Sequence, residues 1–294
     1  MAPEILVIGG PTASGKSKAA LSIAQKHGGV IINADSQQLY RELPILTARP
    51  DEAEQSLAPH KLYGILGLSE PCSAGAWLKL ARMEIDWALG QGRLPIVVGG
   101  TGLYLKALLH GIADMPAIAP DIRAQAVGDY EEMGKDAFSA RLREIDPAFF
   151  TRLSVFDRQR LIRAYEVWLG SGKTLSWWQS QGANPPYPPE YFNLYQMDID
   201  RETLYRNCDQ RFIQMVERGA VEDVRALLPI CRTGGGNIIG FKELTSYIHG
   251  EIPLETAITR AQQATRNYAK RQTTWFRTQW DGAIVKKLSH TLLP

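Results

Sequence analysis

Short apolar runs alternate with helix-like segments over the first 110 residues. Residues 5–8, 30–32 and 95–98 are continuous apolar runs with the length of a buried strand. Residues 16–26 and 74–89 lie between these runs and carry apolar positions at helical spacing, and residues 103–109 repeat this pattern. Strands that alternate with helices predict an α/β domain, with a parallel sheet and right-handed crossovers.

The pattern changes after this region. Residues 114–190 show helical spacing and no clear buried strand, and Asp157 can cap a helix that runs to Leu169 and is closed by Gly170 and Gly172. Residues 184–189 form a stiff proline-rich linker, and residues 192–199 form a strand that returns to the sheet. The rest is helical, with a long last helix at 254–279. We therefore predict an α/β core at 1–113, a helical insertion at 114–190, and a return to the core with C-terminal helices at 191–294.

The composition is typical of a soluble globular protein, with 294 residues of which 45% are apolar and 22% are charged. Cys72, Cys208 and Cys231 are too widely spaced for a zinc site, and such sparse cysteines suit a reducing compartment. The first apolar run is too short for a signal peptide or a membrane span. These features predict a cytoplasmic protein that does not contact a membrane.

Positive charge is concentrated in two segments although the net charge is only +2. Residues 152–173 hold five Lys/Arg and two acids, and residues 260–287 hold seven Lys/Arg and one acid. Such segments either form solvated helix faces or bind a polyanion.

Residues 10–17 (GPTASGKS) match the pattern G-x-x-x-x-G-K-[ST] between a predicted strand and a predicted helix. Backbone N–H groups of such a loop, together with the helix N-terminus, surround a phosphate group. Lys16 adds a cation and the Ser17 hydroxyl can ligate Mg²⁺. An ordinary glycine-rich turn is the alternative, but pattern and context together favour a polyphosphate site.

Two further residues, Asp35 and Thr101, follow predicted strands. Ligands of open parallel sheets lie beyond the carboxyl ends of the strands, so we expect both residues to meet the phosphate loop in one crevice. Asp35 could alternatively be only a helix cap. The strand before Thr101 ends without the acid that holds the metal in P-loop kinases and hydrolases, and this weakens a nucleotide-hydrolysis interpretation.

Several segments resemble the tRNA dimethylallyltransferase family of bacterial type, in order along essentially the whole chain. They are the phosphate loop, residues 33–40 (NADSQQLY), 98–108 (VGGTGLYLKAL), 157–167 (DRQRLIRAYEV), 210–212 (QRF), 239–243 (IGFKE) and 268–277 (YAKRQTTWFR). The resemblance implies a P-loop NTPase-like core with a helical insertion that grips the tRNA anticodon stem-loop. It also implies transfer of a dimethylallyl group from dimethylallyl diphosphate to the N6 amine of an adenosine.

The resemblance assigns roles to individual residues. It implies that Asp35 is the general base, that Thr101 lies at the reaction centre, and that Lys16 and Arg211 bind the pyrophosphate. The donor's pyrophosphate is held by Gly10, Thr12, Ala13, Ser14, Gly15, Lys16 and Ser17, with Mg²⁺ at Ser17. Contacts with tRNA are implied for Asp35, Ser36, Gln37, Gln38, Thr101, Arg123, Gln159, Arg160, Leu161, Ile162 and Arg163.

The chain departs from the family pattern at residues 44–50 (PILTARP), where the family often has Asp-Ile-Gly-Thr-Ala-Lys-Pro, and this leaves the role of that loop open. Arginines of the insertion and of the last helix can hold tRNA phosphates. Tyr268 and Trp275 share a helix face and fit a core position better than a base-stacking platform. We expect a monomer.

Three other functions share some of these features. A P-loop kinase of a small molecule such as a nucleotide uses the phosphate loop but leaves the basic segments without a role. A prenyltransferase of free AMP leaves the insertion without a role. A non-catalytic RNA-binding protein does not use the phosphate loop and Asp35 together.

Overall fold

The computed structural model describes residues 3–151, 157–229, 238–280 and 285–289. Within them, six parallel strands form one sheet in the order β3-β2-β4-β1-β5-β6. The strands are β1 (Ile5–Gly9), β2 (Val30–Asn33), β3 (His60–Lys61), β4 (Pro95–Gly99), β5 (Phe192–Asp198) and β6 (Lys286–Ser289). This arrangement confirms the predicted α/β fold.

The four predicted strands are confirmed as β1, β2, β4 and β5, whereas β3 and β6 were not predicted. Strand β3 has only two residues, and β6 has the mostly polar sequence KKLS, so neither forms an apolar run. Both are edge strands of the sheet and exist because β2 and β5 offer them free backbone hydrogen bonds.

Four helices lie among the first strands: α1 (Lys16–His27), α2 (Glu52–Leu57), α3 (Ala74–Gly90) and α4 (Gly102–His110). Helices α1, α3 and α4 confirm the predictions, and α2, which was not predicted, begins with a capping box between Asp51 and Glu54. Short 3₁₀ turns occur at Ser36–Leu39 and Pro189–Tyr191.

Apolar side chains cover both faces of the sheet. On one face Trp77 of α3 stacks on Tyr104 of α4 with 4.7 Å between ring centroids, and its indole Nε1–H donates to the Asn33 carbonyl at 2.8 Å. On the other face Ala19, Ala20 and Ala24 of α1 pack against the strands. The indole hydrogen bond ties α3 to the carboxyl end of β2, where the predicted site begins.

The second compact unit, His110–Pro185, contains α5 (Pro120–Ile145, with a kink at Gly134), α6 (Pro147–Thr151), α7 (Arg158–Ser171) and α8 (Leu175–Ser180). The predicted cap is confirmed: Asp157 Oδ1 accepts the Arg160 N–H at 2.9 Å. Helix α7 ends at Ser171, two residues beyond Leu169, and is followed by Gly172 in the left-handed conformation. Phe138, Leu142, Leu161 and Tyr165 form the centre of this unit.

The boundaries of this unit fall four to five residues before the predicted ones. At the second boundary, Tyr187 of the proline-rich linker is buried in the core of the first unit and its hydroxyl donates to Asp86 at 2.7 Å. The linker is therefore partly a core segment, although its prolines predicted only a stiff connection.

The first unit is completed by α9 (Arg201–Glu217), α10 (Ala220–Leu227), α11 (Phe241–Ile248) and α12 (Leu254–Gln279), and α12 confirms the predicted last helix. Small or polar residues occupy the buried face of α12 at Ala257, Ala261, Thr265, Ala269 and Gln272, before Phe276. None of the helices in the described ranges is long and apolar enough to cross a membrane.

Candidate active site

The phosphate loop joins β1 directly to α1, which confirms its predicted context. Ala13 and Gly15 have positive φ values of 61° and 88°, and Lys16 is the first residue of α1. The loop therefore curls around the positive end of the α1 dipole, where it can surround an anion.

Lys16 is buried beneath this loop, and its Nζ donates to the Pro11 carbonyl at 3.3 Å. Burial lowers the pKa of Lys16 to about 8; nearby Asp35 opposes this shift and Arg211 adds to it. Among the described contacts, one hydrogen bond engages this ammonium, which carries three N–H donors, so it can also bind an anionic ligand.

Helix α9 holds the loop from the side. Arg211 donates from Nη2 to the Thr12 hydroxyl, and Asn207 Nδ2 donates to the Ala13 carbonyl at 3.2 Å. Burial lowers the pKa of Arg211, partly offset by Cys208 and Asp35, but a guanidinium stays protonated near neutral pH. Two cations, Lys16 and Arg211, therefore approach the loop in a largely dehydrated setting.

Asp35 follows β2 and is 8% exposed. Its Oδ1 accepts the Gln37 N–H at 3.1 Å, so it does cap the 3₁₀ turn, as the alternative interpretation expected. The Asn33 amide fixes its backbone by accepting the Asp35 N–H at 2.8 Å and donating to the Asp35 carbonyl at 2.9 Å. Because the same carboxyl also lines a cavity with Lys16, capping and chemistry are compatible.

The narrow cavity at the carboxyl ends of β1 and β2 has a volume of about 60 Å³, and it shares lining residues with a larger cleft of about 760 Å³. Of the predicted residues, the narrow cavity brings together Thr12, Lys16, Ser17, Asp35, Gln37, Gln38 and Arg211. Ala13, Ser14 and Gly15 line the larger cleft, together with Lys16, Ser17 and Arg211. The shared residues place the two cations and the Ser17 hydroxyl between both spaces.

Thr101 does not line the narrow cavity, although convergence was predicted. Its Oγ1 accepts the Ser36 N–H at 2.9 Å and donates to the Ser36 hydroxyl at 3.3 Å. Thr101 therefore holds the residue next to Asp35, and it lies near the Tyr268 hydroxyl.

One wall of the cavity is apolar and was not predicted. Leu46, Phe212, Met215 and Ile239 supply it, from the loop before α2, from α9 and from the approach to α11. The divergent loop at residues 44–50 contributes Leu46, Thr47 and Ala48 to the cavity lining. The Gln38 amide holds this loop by donating to the carbonyls of Thr47 and Ala48 at 3.0 and 2.7 Å. A cavity lined by both cations and apolar side chains suits an amphiphilic anion.

Helix α12 contributes residues that sequence reasoning missed. Tyr268 was expected in the core but lines the cavity, and burial raises the pKa of its hydroxyl. Trp275 is packed against the core, as expected. Gln272 is buried against the phosphate loop; a polar residue on the buried face of a helix was the signal that could have revealed it.

Helix α12 also explains why glycines follow β4. A Cβ at Gly100 would lie 2.2 Å from the Gln272 amide nitrogen, and one at Gly102 would lie 2.2 Å from the Trp275 ring. Contacts this short do not occur, so the turn needs glycine because a helix lies directly against it.

The insertion exposes only some of the residues that were predicted to contact tRNA. Arg123 and Arg163 both pair with Glu166, which is 1% exposed, while Gln159 is exposed and Arg160 pairs with Asp157. Leu161 and Ile162 were predicted to contact tRNA, but their side chains are 0% and 3% exposed because they form the core of this unit. A contact of these two residues with tRNA would therefore have to involve their backbone.

The described residues contain no cluster of three or more His, Cys, Asp or Glu that could bind a metal ion on its own. The exposed Ser17 at the start of α1 lines both cavities. A hydroxyl in this position fits Mg²⁺ when phosphate oxygens and water complete the octahedron.

Comparison with known proteins gives consistent results. Residues 38–279 match the family model described as IPP transferase, and residues 3–61 match that of isopentenyl transferase. The chain is 47% identical over 278 residues to a tRNA dimethylallyltransferase of Rhodospirillum centenum, covering 94% of this chain and 88% of the relative. It is 46% identical to that of Rhodospirillum rubrum, covering 94% of this chain and 85% of the relative.

Solved structures agree with these matches. The tRNA isopentenylpyrophosphate transferase of Bacillus halodurans superposes with a TM-score of 0.68 at 32% identity, over 97% of this chain and 89% of that one. A eukaryotic dimethylallyltransferase acting on tRNA gives a TM-score of 0.84 at 26% identity, over 98% of this chain and 74% of that one. The chain therefore belongs to the IPP transferase family, the family of the tRNA dimethylallyltransferases.

Proposed function

We propose that this protein transfers the dimethylallyl group of dimethylallyl diphosphate to the N6 amine of an adenosine in the anticodon loop of tRNA, releasing pyrophosphate. The observation that carries the proposal is the cavity in which the phosphate loop, Lys16 and Arg211 meet Asp35 and an apolar wall. Family membership supports the same reaction.

The reaction needs a strong electrophile, because the adenine amine is a weak nucleophile whose lone pair is delocalised into the ring. The C1–O bond of the allylic diphosphate breaks and its electron pair leaves with the pyrophosphate. The N6 nitrogen forms the new bond to C1 and gives a proton to the Asp35 carboxylate. General-base catalysis of this kind contributes roughly 10²–10⁴-fold.

Negative charge grows on the departing pyrophosphate. The loop N–H groups, Lys16 and Arg211 stabilise that charge, and each preorganised donor is worth about 3–4 kcal/mol in comparable sites. Mg²⁺ held at Ser17 together with the phosphate oxygens would supply further charge neutralisation. The apolar side chains Leu46, Phe212, Met215 and Ile239 give the prenyl tail a dry surface.

The acceptor fits a single-stranded RNA loop. A base must leave its stack to reach a cavity, and this costs less in a loop than in a duplex. We expect arginines of the insertion, among them the exposed Arg123 and the half-buried Arg163, to contact the tRNA backbone. Free AMP would use none of them.

The test is prenyl transfer from labelled dimethylallyl diphosphate to unmodified tRNA, with Mg²⁺ and without ATP. We expect label in one adenosine of the anticodon loop, and a much higher kcat/KM for an isolated anticodon stem-loop than for AMP. Label in AMP alone would contradict the tRNA acceptor. ATP turnover without any prenyl transfer would favour a kinase, although β4 ends at Gly99 without a metal-binding acid.

A further inference from the structure

Gln272 makes contacts that the reaction described above does not use directly. It lies on α12, is 5% exposed, and its two amide atoms each have a backbone partner. Its Oε1 accepts the Thr12 N–H at 2.8 Å, and its Nε2 donates to the Gly100 carbonyl at 2.9 Å. One side chain therefore spans the phosphate loop and the turn that follows β4.

The two bridged segments carry different parts of the site. Thr12 belongs to the loop that holds the leaving group, and its hydroxyl is also held by Arg211. Gly100 directly precedes Thr101, whose hydroxyl fixes Ser36 beside Asp35. The described backbone hydrogen bonds add one direct link between loop and turn, from the Gly10 N–H to the Gly99 carbonyl at 3.3 Å.

The contact with Thr12 has a consequence for anion binding. Because the Thr12 N–H is occupied by Gln272, that N–H does not point at the phosphate, although the sequence pattern suggested that the whole loop does. Removing the Gln272 amide therefore takes no ligand away from the pyrophosphate. It removes only the two hydrogen bonds that set the distance between the phosphate loop and the turn after β4.

We propose that Gln272 is a positioning residue that keeps the phosphate loop and the turn at Thr101 at a fixed separation. The leaving pyrophosphate and the amine beside Asp35 then lie in line with C1 of the donor. This inference rests on the proposed function. Reacting atoms need close alignment, and a displacement of about 1 Å can cost roughly 100-fold in rate. Loss of the bridge should therefore lower the rate of the chemical step and not the affinity for pyrophosphate.

The experiment compares Gln272→Met, which keeps the side-chain length but removes both hydrogen bonds, with the wild-type protein. Single-turnover prenyl transfer to tRNA and the Kd of inorganic pyrophosphate with Mg²⁺ are both measured. We expect the transfer rate to fall about 100-fold and the pyrophosphate Kd to change by less than about threefold, since no pyrophosphate ligand is lost. Equal losses in both, or an unchanged rate, would overturn the positioning role.

Gln272→Glu is the second variant and decides the case if Gln272→Met does not fold. A carboxylate can still accept the Thr12 N–H but cannot donate to Gly100, so the rate should fall here as well. A wild-type rate in this variant would contradict the bridge. Gln263→Met is the matched control, since Gln263 is exposed on the same helix and should keep wild-type values in both measurements.

The same data separate this inference from the proposed function. Absence of transfer by the wild-type protein would contradict the function itself. Transfer by the wild-type protein together with undiminished transfer by both Gln272 variants would contradict only the positioning role.

Discussion

At the scale of single residues, the site depends on groups that have two tasks. Asp35 caps a 3₁₀ turn through Oδ1 and also lines the cavity beside Lys16. Thr12 offers its hydroxyl to Arg211 and its N–H to Gln272. A substitution that keeps one task and removes the other can separate structure from chemistry.

Asp35→Asn is such a substitution, because asparagine also caps well but cannot accept a proton. We expect prenyl transfer to fall by roughly 10²–10⁴-fold, with pyrophosphate binding unchanged or tighter since a negative charge is removed. Rapid-quench transfer assays and calorimetry measure the two quantities. Asp200→Asn is the control, because Asp200 caps α9 in the same way, with the Thr203 N–H at 2.9 Å, and lines neither cavity. Undiminished transfer by Asp35→Asn would exclude a general base at this position.

Lys16 predicts a pH dependence of pyrophosphate binding. Its pKa in the free protein is lowered to about 8, and a bound anion must raise it, because the anion favours the ammonium form. The contribution of Lys16 to affinity should therefore be complete below pH 8 and decline as pH rises above 8. The measurement is the Kd from pH 6.5 to 9.5 for the wild-type protein and for Lys16→Met. A ratio of the two Kd values that is independent of pH would contradict this assignment.

At the scale of elements, the last helix determines the sequence of the turn after β4. Helix α12 places Gln272 and Trp275 where side chains at Gly100 and Gly102 would otherwise lie. The glycines are needed because of this packing rather than because of a left-handed backbone: neither belongs to the positive-φ residues of the described chain.

Gly102→Ala should therefore destabilise the protein. Its Cβ would overlap the rigid Trp275 ring, and overpacking of this kind costs about 1–3 kcal/mol. Urea unfolding measures the change in free energy. Gly90→Ala is the control: nothing lies within 4 Å of its Cβ position at the end of α3, so it should be neutral or stabilise by up to about 1 kcal/mol. Equal stabilities of the two variants would contradict the close approach of α12.

At the scale of the whole molecule, charge is more evenly distributed than the two basic segments suggested. Residues 110–185 contain 9 Lys/Arg and 10 Asp/Glu, a net charge of −1, so the insertion is not basic as a whole. Several of its arginines have acidic partners, such as Arg158 with Glu131 and Arg160 with Asp157. Arg123 and Arg163 share the single carboxylate of Glu166, so among the described residues one positive charge of this pair stays uncompensated, and binding of a polyanion must then depend on such local excesses of charge.

Arg163→Ala should weaken tRNA binding and reduce the slope of log K against log salt concentration by about one. Glu166 would keep Arg123 as its partner, so the buried carboxylate stays compensated. Filter binding or fluorescence anisotropy at several salt concentrations measures the slope. Lys135→Ala removes one exposed charge from the same unit outside α7 and should have a smaller effect. An unaltered affinity of Arg163→Ala at low salt would exclude the contact.

The features determined by the sequence alone are those encoded in contiguous residues. The phosphate loop, the buried strands before Gly10 and Asn33 and the caps at Asp35 and Asp157 each depend on a few neighbouring residues, whose turn geometry and apolar pattern operate locally. The family resemblance joined these local motifs to a function, because their order along the chain is distinctive.

Tertiary structure alone decided which distant side chains meet the site. Gln272 contacts Thr12, which lies 260 positions earlier in the sequence, and Tyr268 lines the cavity rather than the core. The side chains of Leu161 and Ile162 on α7 are buried. Strands β3 and β6 also form only because a neighbouring strand offers hydrogen bonds. In each case the burial or pairing of a residue depends on which element packs against it, and local periodicity does not contain that information.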